Sequence, residues 1–180
     1  LGAMVFGTVA QERLQLNEDS LWSGGPMDAD NPAALPALPK IRELLFNGQY
    51  AQAQALTEAT QVRQRETRGS FGSYTTLGDL RIEFDDHEEP LDYRRDLRLD
   101  EAVAGVRYRI GQSQYVRETF ASHPDDVLVS HIRSQGEGRV SARITLGREA
   151  VAQVRVDGND LILSGQLGGG HGAEGMKFTA

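Results

Sequence analysis

From Gly78 onward the chain alternates apolar and polar residues in short runs separated by turn residues. Leu80, Ile82 and Phe84 alternate with Arg81 and Glu83, and Val106, Tyr108 and Ile110 with Arg107 and Arg109. Gly111, Gln112 and Ser113 then reverse the chain, and Val116, Glu118 and Phe120 share one face of the returning strand. Val127, Val129 and His131 continue the pattern, followed by Ile144 and Leu146, then Val154 and Val156, then the apolar run from Leu161 to Leu163. Asp157-Gly-Asn159 between the last two is a hairpin signal. A period of two buries one face of a strand and wets the other. Many short strands at this spacing predict an antiparallel sandwich or barrel.

The N-terminal third reads differently. Residues 3–9 and 13–17 predict two strands, and residues 22–39 form a loop rich in Gly, Pro, Asp and Asn. Pro39 suits the first turn of a helix. Ile41, Leu44 and Leu45 supply its apolar stripe, and Asn47-Gly48 ends it. A second helix is expected over 49–61, where Ala and Gln favour helix. The two make an αα-hairpin of about residues 38–62, expected to pack on the side of a sheet. Residues 63–73 are polar and read as a mobile loop. The fold class read from the residues is therefore mainly β, an antiparallel sandwich or barrel with a short two-helix insertion near the N-terminus.

Composition narrows the function classes. The 180 residues fit one domain, large enough to bury a core. With no cysteine there is neither a disulfide framework nor a thiolate metal site. The net charge of −7, with Arg94-Arg95 the one adjacent basic pair, argues against nucleic-acid binding. No apolar run approaches the ~20 residues of a membrane helix. Both ends break off inside apolar, strand-like stretches and are expected to continue in a longer polypeptide.

Candidate chemistry mostly dissolves into structure. Carboxylates adjoin at Glu18-Asp19, Asp85-Asp86, Glu88-Glu89 and Asp125-Asp126. Glycoside hydrolysis needs two carboxyl groups facing each other across a sugar, roughly 5–10 Å apart. Sequence neighbours on a strand point to opposite faces, so no catalytic pair is assigned. Residues 85–89 read as a solvated turn. His87, His123, His131 and His171 lack the spacing of a metal motif, so no metal ligand is assigned. Gly170, Gly172 and Gly175 match a GxGxxG string, but a strand-like Met176-Lys-Phe178 follows where the motif requires a helix. A flexible glycine loop is the expected reading.

The block Gln15-Leu-Asn-Glu-Asp-Ser-Leu-Trp-Ser-Gly-Gly-Pro26 stands apart. It carries the single tryptophan, Trp22, among Asn17, Glu18 and Asp19, on a loop, where function concentrates. Sugars stack their C–H faces on such rings and hydrogen-bond to such polar groups. The competing reading, which composition alone favours, has Trp22 plugging the core between sheet and helices while Asn17 and Asp19 tie the turn.

Taken with Leu1-Gly-Ala-Met-Val-Phe-Gly7 and Asp28-Ala-Asp-Asn-Pro32, this block resembles the N-terminal domain of glycoside hydrolase family 95, characteristically α-L-fucosidases with some α-L-galactosidases. Leu77-Gly-Asp-Leu-Arg-Ile-Glu-Phe84, Tyr93-Arg-Arg-Asp-Leu97 and Phe120-Ala-Ser122 extend the likeness in order over nearly the whole chain. The resemblance implies a single truncated super-sandwich β domain over 1–180, in a protein whose catalytic helical barrel lies outside this sequence. It also implies inverting hydrolysis of fucosylated glycans by that barrel, no cofactor, and an extracytoplasmic location. No catalytic residue falls within this chain. The expected role is structural and cleft-shaping, with Asn17, Glu18 and Trp22 as cleft-rim or sugar-contacting residues. A stand-alone carbohydrate-binding module, or a domain or oligomer contact module, is the alternative.

Overall fold

The structure, a computed structural model, describes residues 1–25, 30–62, 72–149, 152–170 and 173–180. Strands β1 (Gly2–Gly7) and β2 (Gln11–Asn17) precede helices α1 (Ala34–Phe46) and α2 (Tyr50–Thr60). Nine strands follow: β3 (Gly78–Phe84), β4 (Leu91–Arg98), β5 (Val103–Ile110), β6 (Ser113–Ser122), β7 (Val127–Gln135), β8 (Ala142–Gly147), β9 (Ala152–Asp157), β10 (Asp160–Gly170) and β11 (Ala173–Thr179). They form three antiparallel sheets ordered β1-β2-β3-β8, β4-β5-β6-β7 and β11-β10-β9. Of the sandwich or barrel expected from the alternation, the antiparallel β-sandwich that the resemblance also implied is the architecture found.

Register explains which residues are buried. Leu14 lies opposite Leu80, which lies opposite Leu146, and Ile82 pairs with Ile144. Leu14, Leu80, Ile82 and Leu146 form the inner face of the β1-β2-β3-β8 sheet, while Ile144, on the edge strand, stays half exposed. At one end, Leu16 and Leu146 pack on a cluster of Leu21, Leu77, Leu163, Leu167 and Phe178, bringing in the β9–β11 sheet. At the other end, Phe84 stacks on His87 with 5.1 Å between ring centroids, and Val9 packs on Val106, Tyr108 and Tyr115 of the β4–β7 sheet. One face of the β1-β2-β3-β8 sheet is thus covered from both ends; its other face is polar on β2 and β3 and carries Met4 and Phe6 on β1. The predicted hairpin after β9 is present: Asp157 pairs with Asp160 across a two-residue turn, and Gly158 takes a φ of 61°. A positive φ at that place is what selects glycine.

The two-helix insertion is present with earlier bounds than expected. Pro39 lies inside α1, and Pro36 occupies the first turn. The start signal is Asn31, whose side-chain oxygen accepts from the Ala33 N–H at 3.0 Å while its backbone carbonyl accepts from Ala34 at 2.9 Å. The hairpin is held at its base by Asn31 Nδ2 donating to the Val62 carbonyl (3.0 Å) and Gln61 Nε2 donating to that of Ala34 (2.7 Å). It buries Ile41, Leu44 and Ala53 between its own helices and packs extensively on no strand, contrary to the expected side-on packing. Leu35, Phe46 and Tyr50 are left exposed. The polar loop predicted at 63–73 lies mostly outside the described residues. Its last residue, Ser73, is fixed: its carbonyl accepts from the Ser23 N–H at 2.9 Å.

The two described glycines of the GxGxxG string, Gly170 and Gly175, are strand residues, correcting the flexible-loop reading. Gly170 closes β10 opposite Ala173, and Gly175 lies in β11; Gly172 is outside the described residues. A Cβ on Gly175 would sit 2.6 Å from the Leu167 carbonyl oxygen, so close strand pairing rather than phosphate binding accounts for glycine there.

Candidate functional site

The loop after β2 is stitched to its surroundings by backbone bonds. Leu21 N–H donates to Glu18 O (3.3 Å), Trp22 N–H to Ser20 O (2.9 Å) and Gly24 N–H to Gly168 O on β10 (2.8 Å). The Trp22 and Tyr74 backbones form an isolated antiparallel bridge. Leu21 fills the core position, with 2% of its surface exposed, whereas Trp22 is 50% exposed. The reading in which Trp22 plugs the core is therefore overturned. The loop has one inward slot, and the backbone turn at Glu18–Leu21 aims the smaller neighbour into it.

Trp22 instead forms a surface aromatic pair. Its ring meets that of Tyr74 edge-to-face, with centroids 5.5 Å apart, and Nε1–H donates to the Asp19 carbonyl at 3.0 Å. The Tyr74 hydroxyl donates to Asn17 Oδ1. Glu18 is turned back onto its own loop, where Oε2 accepts from the Ser20 N–H (3.0 Å) and hydroxyl (2.6 Å). Asn17 and Trp22 therefore join around Tyr74, while Glu18 braces the turn.

Along the polar face of β2, Arg13, Gln15 and Asn17 follow each other at every second position. Arg13 and Gln15 wall a cleft of about 330 Å³ whose other lining includes Thr75, Thr76, Asp79, Arg148 and Glu149. Asp79 Oδ2 receives Arg13 at 3.0 Å and Arg81 at 3.2 Å. Arg148 ties the cleft to the core: it donates to the Thr75 hydroxyl (2.6 Å) and the Thr76 carbonyl, and its guanidinium lies 4.9 Å from the centre of the Phe178 ring. Burial lowers the pKa of its guanidinium. Asp79 and Glu149 share this cleft, but an oxygen held by two guanidiniums is engaged as an acceptor, not poised to protonate a leaving group.

Sequence reasoning missed a second polar cluster, this one buried. Residues 85–89 were expected to be a solvated turn; their four carboxylates are exposed, but His87 is 4% exposed. His87 Nδ1 lies 2.6 Å from the Tyr108 hydroxyl, which accepts from Arg117 Nη2 at 2.6 Å. Arg117, 2% exposed, also donates to the carbonyls of Thr8 (3.1 Å) and Val9, and lies 3.5 Å from Glu12. Its guanidinium stands 3.8 Å above the Phe84 ring. Arg95 supplies a second cation to Glu12 at 3.0 Å. Burial lowers the pKa of His87, and the Arg117 charge lowers it further. Burial raises that of Tyr108. The chain from Glu12 to His87 bolts β2 to β5 and β6 with all four of its groups buried, so it fits a structural lock rather than a reaction centre. Its signal in the sequence is faint: Tyr115, Arg117 and Thr119 alternate on one face of β6.

These features define a β-sandwich domain with a pinned aromatic loop, a polar cleft, and no opposed carboxylates poised for acid–base work among the described residues. The N-terminal domain of glycosyl hydrolase family 65 matches residues 1–180, and the chain belongs to that family. The sequence blocks had pointed to family 95; what the two assignments share is the N-terminal domain of a glycoside hydrolase. Alpha-L-fucosidase 2 of Arabidopsis thaliana is 36% identical over 152 residues, covering 83% of this chain and 17% of its own length. A probable alpha-fucosidase A of Aspergillus niger is 33% identical over 178 residues, covering 92% of this chain and 21% of its own length. The counterpart in Aspergillus oryzae is 28% identical over 141 residues, 74% of this chain and 18% of its own. The chain thus spans about a fifth of the length of these curated relatives.

Proposed function

We propose that this chain is the N-terminal β-sandwich domain, spanning 1–180, of an inverting glycoside hydrolase that removes terminal L-fucose or a closely related sugar from glycans. Its own role is to support and shape the cleft of a separate catalytic domain in the same polypeptide. The observation that carries the reading is the family match over the whole chain, joined to two fucosidase relatives above 30% identity. Two structural features support a supporting rather than catalytic role. The buried carboxylate Glu12 is spent on Arg95 and Arg117, and the exposed apolar residues of the helical hairpin offer a surface for another domain. Asn17 and Trp22 sit on the loop that would face the catalytic cleft. The test is proton NMR of α-L-fucoside hydrolysis by the protein of the whole gene. Release of β-fucose first is expected; a well-folded protein that leaves fucosides intact sinks the reading.

A further inference from the structure

The cleft between β2, β3 and the end of β8 is not explained by support alone. Its walls alternate donors and acceptors: Arg13, Gln15, Thr75, Asp79, Arg148 and Glu149. Both signs of charge face the same space. A free anion meets Asp79 and Glu149, and a free cation meets three guanidiniums once Arg81 is counted. An apolar ligand would strip water from polar groups without replacing its hydrogen bonds, which is costly. A neutral polyol fits, because each of its hydroxyls both donates and accepts and adjacent hydroxyls match a carboxylate, amide or guanidinium edge-on.

The size agrees. About 330 Å³ lies at the lower end of the ligand-pocket range and suits one sugar ring. A shallower depression sharing Asp79, Gly147, Arg148 and Glu149 continues toward Arg81 and Thr145, giving space for a further unit. Gly147 opens the cleft. A Cβ on Gly147 would meet no atom within 4 Å, so the cleft's depth there depends on the missing side chain, not on a backbone requirement. The cleft also leads toward an apolar ring surface. Asn17 follows Gln15 on the same face of β2, about 7 Å further along, and its amide oxygen holds the hydroxyl of Tyr74, the partner of exposed Trp22.

We infer that this cleft is a carbohydrate-binding subsite of the N-terminal domain, taking a neutral monosaccharide unit between the polar side chains of β2 and β3 and the Arg148–Glu149 segment. The choice of L-fucose as first probe rests on the function proposed above; the cleft chemistry itself asks only for a neutral sugar.

The test is a ¹H–¹⁵N NMR titration of the 180-residue chain with L-fucose, D-galactose, D-glucose and D-mannose, with sodium sulfate as the anion control. Saturable shifts are expected at Gln15, Thr75, Asp79 and Glu149 for at least one sugar, with dissociation constants of about a millimolar, the range reached by a few solvent-exchanging hydrogen bonds. Gly147→Leu fills the cleft from a position with room for a side chain and is expected to abolish the shifts while the remaining spectrum stays folded. Gln15→Ala is expected to weaken binding about tenfold. Sugar-induced shifts confined to Trp22 and Tyr74, a cleft that prefers sulfate, or unchanged binding by Gly147→Leu would each overturn the inference. So would the absence of saturable shifts with all four sugars. Binding of another sugar, alongside a whole protein that ignores fucosides, would uphold the cleft and remove the fucosidase reading. An active fucosidase with an unresponsive cleft would do the reverse.

Discussion

Replacing Arg117 by methionine isolates the energetics of the buried lock. The side chain is almost wholly enclosed, and its loss removes the donor to Tyr108 at 2.6 Å, the donor to Thr8 O at 3.1 Å and the cation 3.8 Å above Phe84. It also leaves Glu12 with Arg95 alone, at 3.0 Å. Removing one partner of a buried ion pair typically costs 3–5 kcal/mol, because the other charge stays buried. Here Arg95 remains, and methionine still fills the space beside Phe84, so about 3 kcal/mol is expected. The Arg117 Nε atom is buried without a partner, which also argues for the low end. Urea unfolding followed by far-UV circular dichroism measures it. With a slope of about 2 kcal/mol/M, the midpoint should fall by about 1.5 M. Glu12→Gln leaves the buried Arg117 cation without its counter-ion and should cost a similar amount. A midpoint for Arg117→Met within about 0.3 M of the parent would refute the lock.

Two further outcomes follow from burial. His87 titrates below its ordinary value of 6.5 in the fold, so the unfolded chain binds more protons as pH falls through that value. Its contribution is therefore intact above about pH 6.5 and lost progressively below it; in urea midpoints from pH 8 to 5, His87→Gln should flatten the slope, and an unchanged slope would contradict the assignment. Trp22, half exposed and edge-on to Tyr74, should be readily quenched by iodide, and Trp22→Ala should cost about 1–2 kcal/mol rather than the 3–5 of a core tryptophan.

What was legible in the sequence follows the range of the forces involved. An apolar run revealed β10, and period-two alternation revealed β3 and β5 to β9, although Val154 and Val156 of β9 turn out exposed. Alternation missed β4, whose first four residues are all exposed, and where a register shift between Leu91 and Arg94 breaks the pairing. That strand shows no buried face to read. Arg117 and Glu12 look like surface charges in their local runs; they are buried by each other across more than a hundred residues of chain, an effect no window detects. The Trp22 loop stood out in the sequence, but composition favoured Trp22 turning inward, and it is Leu21 that does. The backbone bonds of residues 18–24 decide that. The cleft was invisible for a different reason: Gln15 and Asp79 become neighbours of Glu149 only through the sheet order β2-β3-β8.

The central claim is that this domain supports a glycosidase without carrying its chemistry. Its most direct test compares, side by side, the protein of the whole gene and the folded 180-residue chain on a nitrophenyl α-L-fucoside. The account predicts turnover by the whole protein and none above the uncatalysed rate by the chain alone. Turnover by the isolated chain, or intact substrate with a folded whole protein, would contradict it.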